Sequence, residues 1–219
     1  MAFNVGEREF VIPGQLLGEK VKCGTNCFAD KERVYSQVSG IARIDKDTVS
    51  VMASAGSYVP KPDDLIIGVV EEVTTANWFL STDQPYRTIL PGEEASRNPL
   101  NDDLTKYYKV GDIVSGKIRL VDEVLTSVIT RPWKMTGGMV VQVNPQRVSR
   151  IIGKKRSMLE MIKQKTGCSI TVGQNGWIWV KGQNESIAVK AIKKIEAEAH
   201  TQGLTARIER MLDEKIKRR

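Results

Sequence analysis

Gly153-Lys154-Lys155-Arg156 sets one glycine ahead of three consecutive cations, a pattern able to grip a polyanion. The glycine lets a phosphate chain approach the main chain, free N–H groups at adjoining helix ends take an anion, and the cations supply charge. Arg150 adds to the same basic stretch. A second group is aromatic: Trp78 next to Phe79, with Tyr86 next to Arg87. Exposed aromatics beside cations stack the bases of a single strand, at about 1–3 kcal/mol per base. Neighbouring strand residues point to opposite faces, so Trp78 and Phe79 cannot both enter a core, and one of them is expected at the surface. Lys117, Arg119 and Arg131 are the remaining basic candidates.

Catalytic chemistry is much harder to assemble. The 219 residues contain one histidine, His200, which removes most imidazole relays and metal sites. Its place late on an amphipathic helix suits capping or packing. The acidic pairs Asp63-Asp64, Glu93-Glu94 and Asp102-Asp103 sit in loop-like surroundings, the last beside Asn101. Adjacent side chains diverge, so such pairs make poor two-metal cages. Cys23 and Cys27 have the spacing of half a zinc site, but no second Cys/His pair completes four ligands. No Gly-x-x-x-x-Gly-Lys-Ser/Thr phosphate cradle occurs. The expectation is no catalytic residue, no metal and no cofactor.

Composition agrees with a soluble, cytoplasmic chain. Hydrophobic residues make up 41% and charged residues 27%, and no apolar run reaches the roughly 18 residues of a membrane span. The opening MAFNVGEREF carries three charges, which is unlike a secretory signal. Three cysteines form no disulfide framework and fit a reducing compartment. The net charge of +7 is unevenly held. Residues 1–61 have 8 Lys/Arg against 7 Asp/Glu (+1), residues 62–135 have 8 against 12 (−4), and residues 136–219 have 17 against 7 (+10). The last third thus carries the polyanion-binding character.

The elements that must position these groups can be read in the same three stretches. In the last, residues 139–144 form a strand pattern, and Asn144-Pro145 supplies an N-cap and a first helical residue. Val148, Ile151 and Ile152 give a short helical face, Gly153 stops it, and Ser157 is placed to cap a second helix with Met158, Leu159, Met161 and Ile162 inward. Residues 169–172 and 177–180 form strands around Gly173-Gln174-Asn175-Gly176, where Asn-Gly signals a tight hairpin turn with both residues at positive φ. A long helix from about Asn184 then buries Ile187, Ala188, Ala191, Ile192, Ile195 and Ala199. A last one uses Leu204, Ile208, Met211, Leu212 and Ile216, ahead of a basic tail ending at Arg219. The order is β-α-α-β-β-α plus one helix.

In the middle stretch, 65–73, 78–81, 88–90, 113–121 and 125–130 are five β-rich runs. Gly68 and Gly116 fall where barrel strands coil, and the long connection from 92 to 109 lies between the third and fourth, which is the plan of an OB barrel. The first stretch holds Val11-Ile12-Pro13-Gly14 and β-rich runs at 34–44 and 48–53 around Asp45-Lys46-Asp47, a small β docking element followed by the stiff linker Pro60-Lys61-Pro62.

Ile151-Ile152-Gly153-Lys154-Lys155-Arg156-Ser157-Met158 with Thr166-Gly167-Cys168-Ser169-Ile170 resembles a KH domain of the eukaryotic order. That family's loop is Gly-x-x-Gly; here Arg156 holds the fourth position, leaving an RNA grip and a scaffold as two readings. Gly68-Val69-Val70, Glu72-Val73, Leu90-Pro91, Tyr108-Lys109-Val110-Gly111-Asp112 and Gly116-Lys117 resemble an S1-type RNA-binding barrel. Together with Val11-Ile12-Pro13-Gly14, the stretch from Val172 to Val180, and that from Glu198 through Gln202 to Thr205, nearly the whole chain resembles the RNA-binding cap subunits of archaeal exosomes. The resemblance implies a multidomain chain, mainly β plus α+β: a small β domain at 1–61, a five-stranded S1-type OB barrel at 62–135, and a KH domain with an extra C-terminal helix at 136–219. It implies a non-catalytic subunit, three copies of which sit on a ring of RNase PH-like subunits and pass single-stranded RNA to a phosphorolytic chamber. The alternative is a free-standing S1/KH factor in translation or transcription.

Overall fold

The computed structural model describes residues 2–53, 56–99, 102–199, 201 and 203–217, with only the backbone of 216 and 217. His200, Asn101, Gln202, Arg219 and the side chain of Ile216, all used above, lie outside the described residues. The chain divides into two units, Met1–Gly56 and Ser57–Arg219.

Among the described residues, the first unit has eight short strands: β1 (Ala2–Phe3), β2 (Phe10–Val11), β3 (Leu16–Glu19), β4 (Lys22–Cys23), β5 (Cys27–Asp30), β6 (Arg33–Ser36), β7 (Gly40–Asp45) and β8 (Thr48–Ala53). They pair as two sheets, β1-β3-β6-β5 and β2-β7-β8-β4, around a small core of Val5, Val11, Leu17, Val34, Val49 and Val51. The run expected at 34–44 is two strands in different sheets. The turn at Asp45-Lys46-Asp47 is as expected, with Lys46 at φ 51°. Cys27 is buried and its burial pushes the thiol up to about 11, while Cys23 is exposed.

In the second unit, β9 (Leu65–Val73), β10 (Asn77–Ser81), β11 (Thr88–Pro91), β12 (Ile113–Val121) and β13 (Ser127–Met135) close a barrel in the order β10-β11-β13-β12-β9. β11 and β13 pair parallel and the rest antiparallel, which is the OB arrangement. Alternate residues fill the interior, among them Ile66, Val70, Trp78, Leu90, Val114, Ile118 and Ile129. Gly116 is required there, since a Cβ would lie 2.7 Å from Ile129 Cδ1. The fifth strand differs from the expected 125–130: Leu125 sits in the turn at φ 63°, and the strand continues through Pro132 to Met135. Proline ordinarily ends a strand, but at a bulge its missing N–H is not needed.

The rest of the unit alternates as expected: β14 (Met139–Gln142), α1 (Val148–Ile152), α2 (Ser157–Thr166), β15 (Ser169–Val172), β16 (Trp177–Lys181), α3 (Glu185–Ala197) and α4 (Leu204–Lys217). The sheet runs β14-β16-β15. Its inner face meets the apolar stripes of the helices in one core that includes Ile151, Ile162, Ile178, Ile192, Ile195 and Ile208. Asn144 caps as expected, its Oδ1 accepting the Gln146 N–H at 2.9 Å. Ser157 does not cap α2; Arg156 occupies that position in the left-handed region, with no side-chain cap bond.

The outer face of the same sheet packs on the barrel. Trp179, with Trp177 and Val140, covers Ile67, Met135 and Ile113. The β15–β16 loop completes this seam. Asn175 is not in a two-residue turn and only Gly176, at φ 88°, has positive φ. The side chain of Asn175 is buried between the domains: its Nδ2 donates to Ile67 O at 2.8 Å and its Oδ1 accepts the Ile67 N–H at 3.3 Å. The Gln174 N–H donates to Leu65 O at 2.7 Å. These bonds satisfy strand groups that the seam removes from water.

Candidate nucleic-acid interface

On the barrel, Phe79 from β10 and Tyr86-Arg87 from the segment before β11 line one groove of about 350 Å³, with Glu71, Glu72 and Gln84. Phe79 and Tyr86 are half-buried and Arg87 is exposed. Trp78 is not part of it. It is fully buried, packs edge-on to Tyr108 with centroids 5.2 Å apart, and donates its Nε1–H to Tyr108 O at 3.0 Å. Of the adjacent pair, the larger ring takes the interior with its N–H satisfied by Tyr108 O, and Phe79 is left on the groove.

The other barrel cations lie elsewhere. Lys117 pairs with Asp63 at 2.8 Å, and this bond and charge hold that carboxyl below its usual value. Arg119 lies 3.9 Å from Glu94. Burial alone would raise Glu94, but the Arg131 N–H, the Thr130 hydroxyl and the charge of Arg119 hold it below the ordinary carboxylate value. The Lys117–Asp63 pair, exposed on both sides, is readily exchanged for a phosphate partner, whereas Glu94 is largely buried. Arg131 is exposed, with φ 52°.

In the KH domain, Gly153 sits at φ 74°, and a Cβ there would come 2.7 Å from Met158 Cβ. Lys155 (φ 51°, ψ 35°) and Arg156 (φ 64°, ψ 12°) are both left-handed. Arg156 therefore keeps the backbone conformation that a glycine would hold without strain. Lys154, Lys155 and Arg156 are exposed and form no ion pair among the described residues. They stand at the N-terminal end of α2, whose first N–H groups have no side-chain cap, so charge, dipole and open donors coincide. Arg150 is separate from this cluster: its Nε donates to Ala199 O at 2.9 Å and its guanidinium also reaches Thr201 O at 3.3 Å. It ties α1 to the segment before α4.

A left-handed arginine costs on the order of 1 kcal/mol relative to glycine in the folded state. Arg156→Gly is therefore expected to leave stability unchanged or raise it by up to about 1 kcal/mol, after the glycine's extra unfolded-state entropy. Arg156→Ala keeps the strain and brings no such gain. If the loop contacts phosphates, Arg156→Gly also lowers the salt slope of RNA binding by about one. Thermal melts and binding isotherms at several salt concentrations check both parts.

Asn175 is the residue whose role sequence reasoning missed. The four residues between Val172 and Trp177 were the available sign that the loop is no two-residue hairpin.

An OB barrel with an aromatic groove, clipped to a KH domain with a bare cationic loop, defines the class: a multidomain nucleic-acid-binding protein. A family model described as KH domain matches residues 138–186. Exosome complex component Rrp4 of Pyrococcus horikoshii is 38% identical over 221 residues, covering 95% of this chain and 83% of that protein. The Rrp4 of Methanosarcina mazei is 39% identical over 209 residues, covering 92% and 80%, and that of Methanothermus fervidus 37% over 215 residues, covering 95% and 96%. A crystal structure described as that of an exosome complex RNA-binding protein matches with a TM-score of 0.67 at 35% identity, over 74% of this chain and 98% of that one. The chain belongs to the Rrp4 family of exosome complex components.

Proposed function

We propose that the chain is a non-catalytic RNA-binding cap subunit of an archaeal exosome, which recruits single-stranded RNA and guides it into an RNase PH-like phosphorolytic ring during 3′-to-5′ degradation. Three copies share one ring in the cytoplasm. The work divides over residues 1–61, which dock on the ring, 62–135, whose groove at Phe79, Tyr86 and Arg87 stacks bases, and 136–219, whose loop at Gly153–Arg156 meets phosphates.

The observation that carries this reading is the separation of cations from aromatics. The bare charges of Lys154, Lys155 and Arg156 stand on the KH domain, while the stacking groove lies on a barrel of net charge −4. Neither surface alone suits tight binding, whereas several copies around one entrance multiply weak contacts. For docking, the first unit offers an apolar row across three strands. Phe10 pairs with Ile41 and Ile41 with Met52, and the three are 58%, 44% and 60% exposed.

Reconstitution tests the reading. The purified chain, mixed with ring subunits, is expected to co-elute with them, to cleave no RNA alone, and to speed phosphate-dependent degradation by the ring. Separate elution together with ring-independent cleavage would reject it.

A further inference from the structure

We infer that Trp133 is a stacking platform for a base of single-stranded RNA, set at the edge of the barrel–KH seam. The inference rests on the RNA-binding reading above and adds a contact outside the groove at Phe79.

The first support is the way the strand turns this ring outward. Ile129 faces the barrel interior, and regular alternation would send residues 131, 133 and 135 the same way. The register prevents it. Ser115 pairs with Trp133 but Lys117 with Thr130, so Arg131 and Pro132 together oppose Gly116. This bulge inverts the alternation, and such bulges re-aim side chains beside functional sites. Met135 then enters the seam and is covered by the KH sheet, at 7% exposure, whereas Trp133 lies uncovered at 70%. Trp78 and Trp179 are both buried and Trp177 is half-buried.

The bulge is held against strain. Arg131 is a non-glycine residue at φ 52°. Its N–H donates to Glu94 Oε2 at 3.0 Å, and the Thr130 hydroxyl donates to the same oxygen at 2.7 Å. Glu94 thereby fixes the conformation that exposes the indole. Strained backbone kept in place by a dedicated partner points to a functional position.

Charge chooses the occupant. Residues 124–138 contain Arg131 and Lys134 and no carboxylate, within a barrel that is acidic as a whole. Lys134 bonds Asp112, while Arg131 is exposed and its charge acts on Glu94 without a close side-chain ion pair among the described residues. A lone indole between cations matches a base between phosphates. A protein partner would need an apolar face of several hundred Å².

The test titrates the full-length chain, at low salt, with a single-stranded oligoribonucleotide while following tryptophan fluorescence. RNA should quench the wild type, because the one well-exposed indole is the one that stacks. Trp133→Ala should bind roughly 5- to 100-fold more weakly, with an unchanged melting profile and an unchanged salt slope, since no charge is removed. Trp133→Phe should keep affinity within about threefold, since a ring remains to stack, and lose most of the quench. Arg131→Gly, which keeps the bulge without strain but removes a flanking cation, should lower the salt slope of RNA binding by about one and still show the full quench at saturating RNA. Wild-type affinity and quench in Trp133→Ala would overturn the inference and leave the RNA-binding reading standing. Loss of ring co-elution with RNA affinity intact would also overturn it, making Trp133 a protein anchor. Wild-type protein that binds no RNA, alone or in the assembly, would reject both.

Discussion

Trp78→Ala is expected to cost about 3–5 kcal/mol of barrel stability. The indole is fully buried, and its removal leaves a cavity against Val70, Leu80, Leu90 and Ile118 in the barrel core. It also removes the edge contact to Tyr108 and the bond to the Tyr108 carbonyl. Edge-to-face contacts and buried carbonyls left without donors add to the loss beyond area. Urea denaturation of the full chain, followed by circular dichroism, would show the barrel melting at a much lower midpoint. Phe79→Ala, on the adjacent half-buried position, should hardly move that midpoint while weakening RNA binding. A Trp78→Ala protein with a wild-type midpoint and only weakened RNA affinity would place Trp78 at the RNA instead.

The second large effect is expected at the ring. Ile41→Glu combined with Met52→Glu should abolish co-elution, a loss of at least about 100-fold in association, because a docked face would bury two unpaired carboxylates. The unit itself should stay folded, since both side chains are already exposed and its core of Val11, Leu17 and Val49 is untouched. RNA affinity of the free chain should not change. A double variant that still co-elutes with the ring would move the docking surface from the β2-β7-β8 row to the barrel or the KH domain.

The KH helices were legible because their information is local. Val148 and Ile151, or Ile187, Ala191 and Ile195, repeat at three or four residues, and that spacing makes one buried face whatever else the chain does. The barrel strands were legible for a similar reason, with Gly116 marking the point where β12 and β13 touch. The candidate site was legible only in part. Gly153 to Arg156 could be located, as could the pair Trp78 and Phe79, but alternation says that one ring is buried and not which. Arg150 looked like part of the basic loop, yet its partners, Ala199 and Thr201, are about fifty residues away in the chain and leave no mark in the spacing. Asn175 had the signature of a turn and holds two domains together instead.

Fifteen residues at the end of the barrel show the same division most sharply. From the sequence alone come the domain types, the resemblance to exosome cap subunits and the surplus of positive charge in the last third. These follow from composition, short periodicities and contiguous motifs, which need no partner distant in the chain. Tertiary structure alone decided the rest: that Trp78 is core, that Arg156 takes a glycine's conformation, that the outer face of the KH sheet lies on β9, and that an extra residue opposite Gly116 turns Trp133 outward. Each depends on register or on a contact between residues far apart, such as Asn175 with Ile67. A one-residue difference in strand pairing exchanges inside for outside.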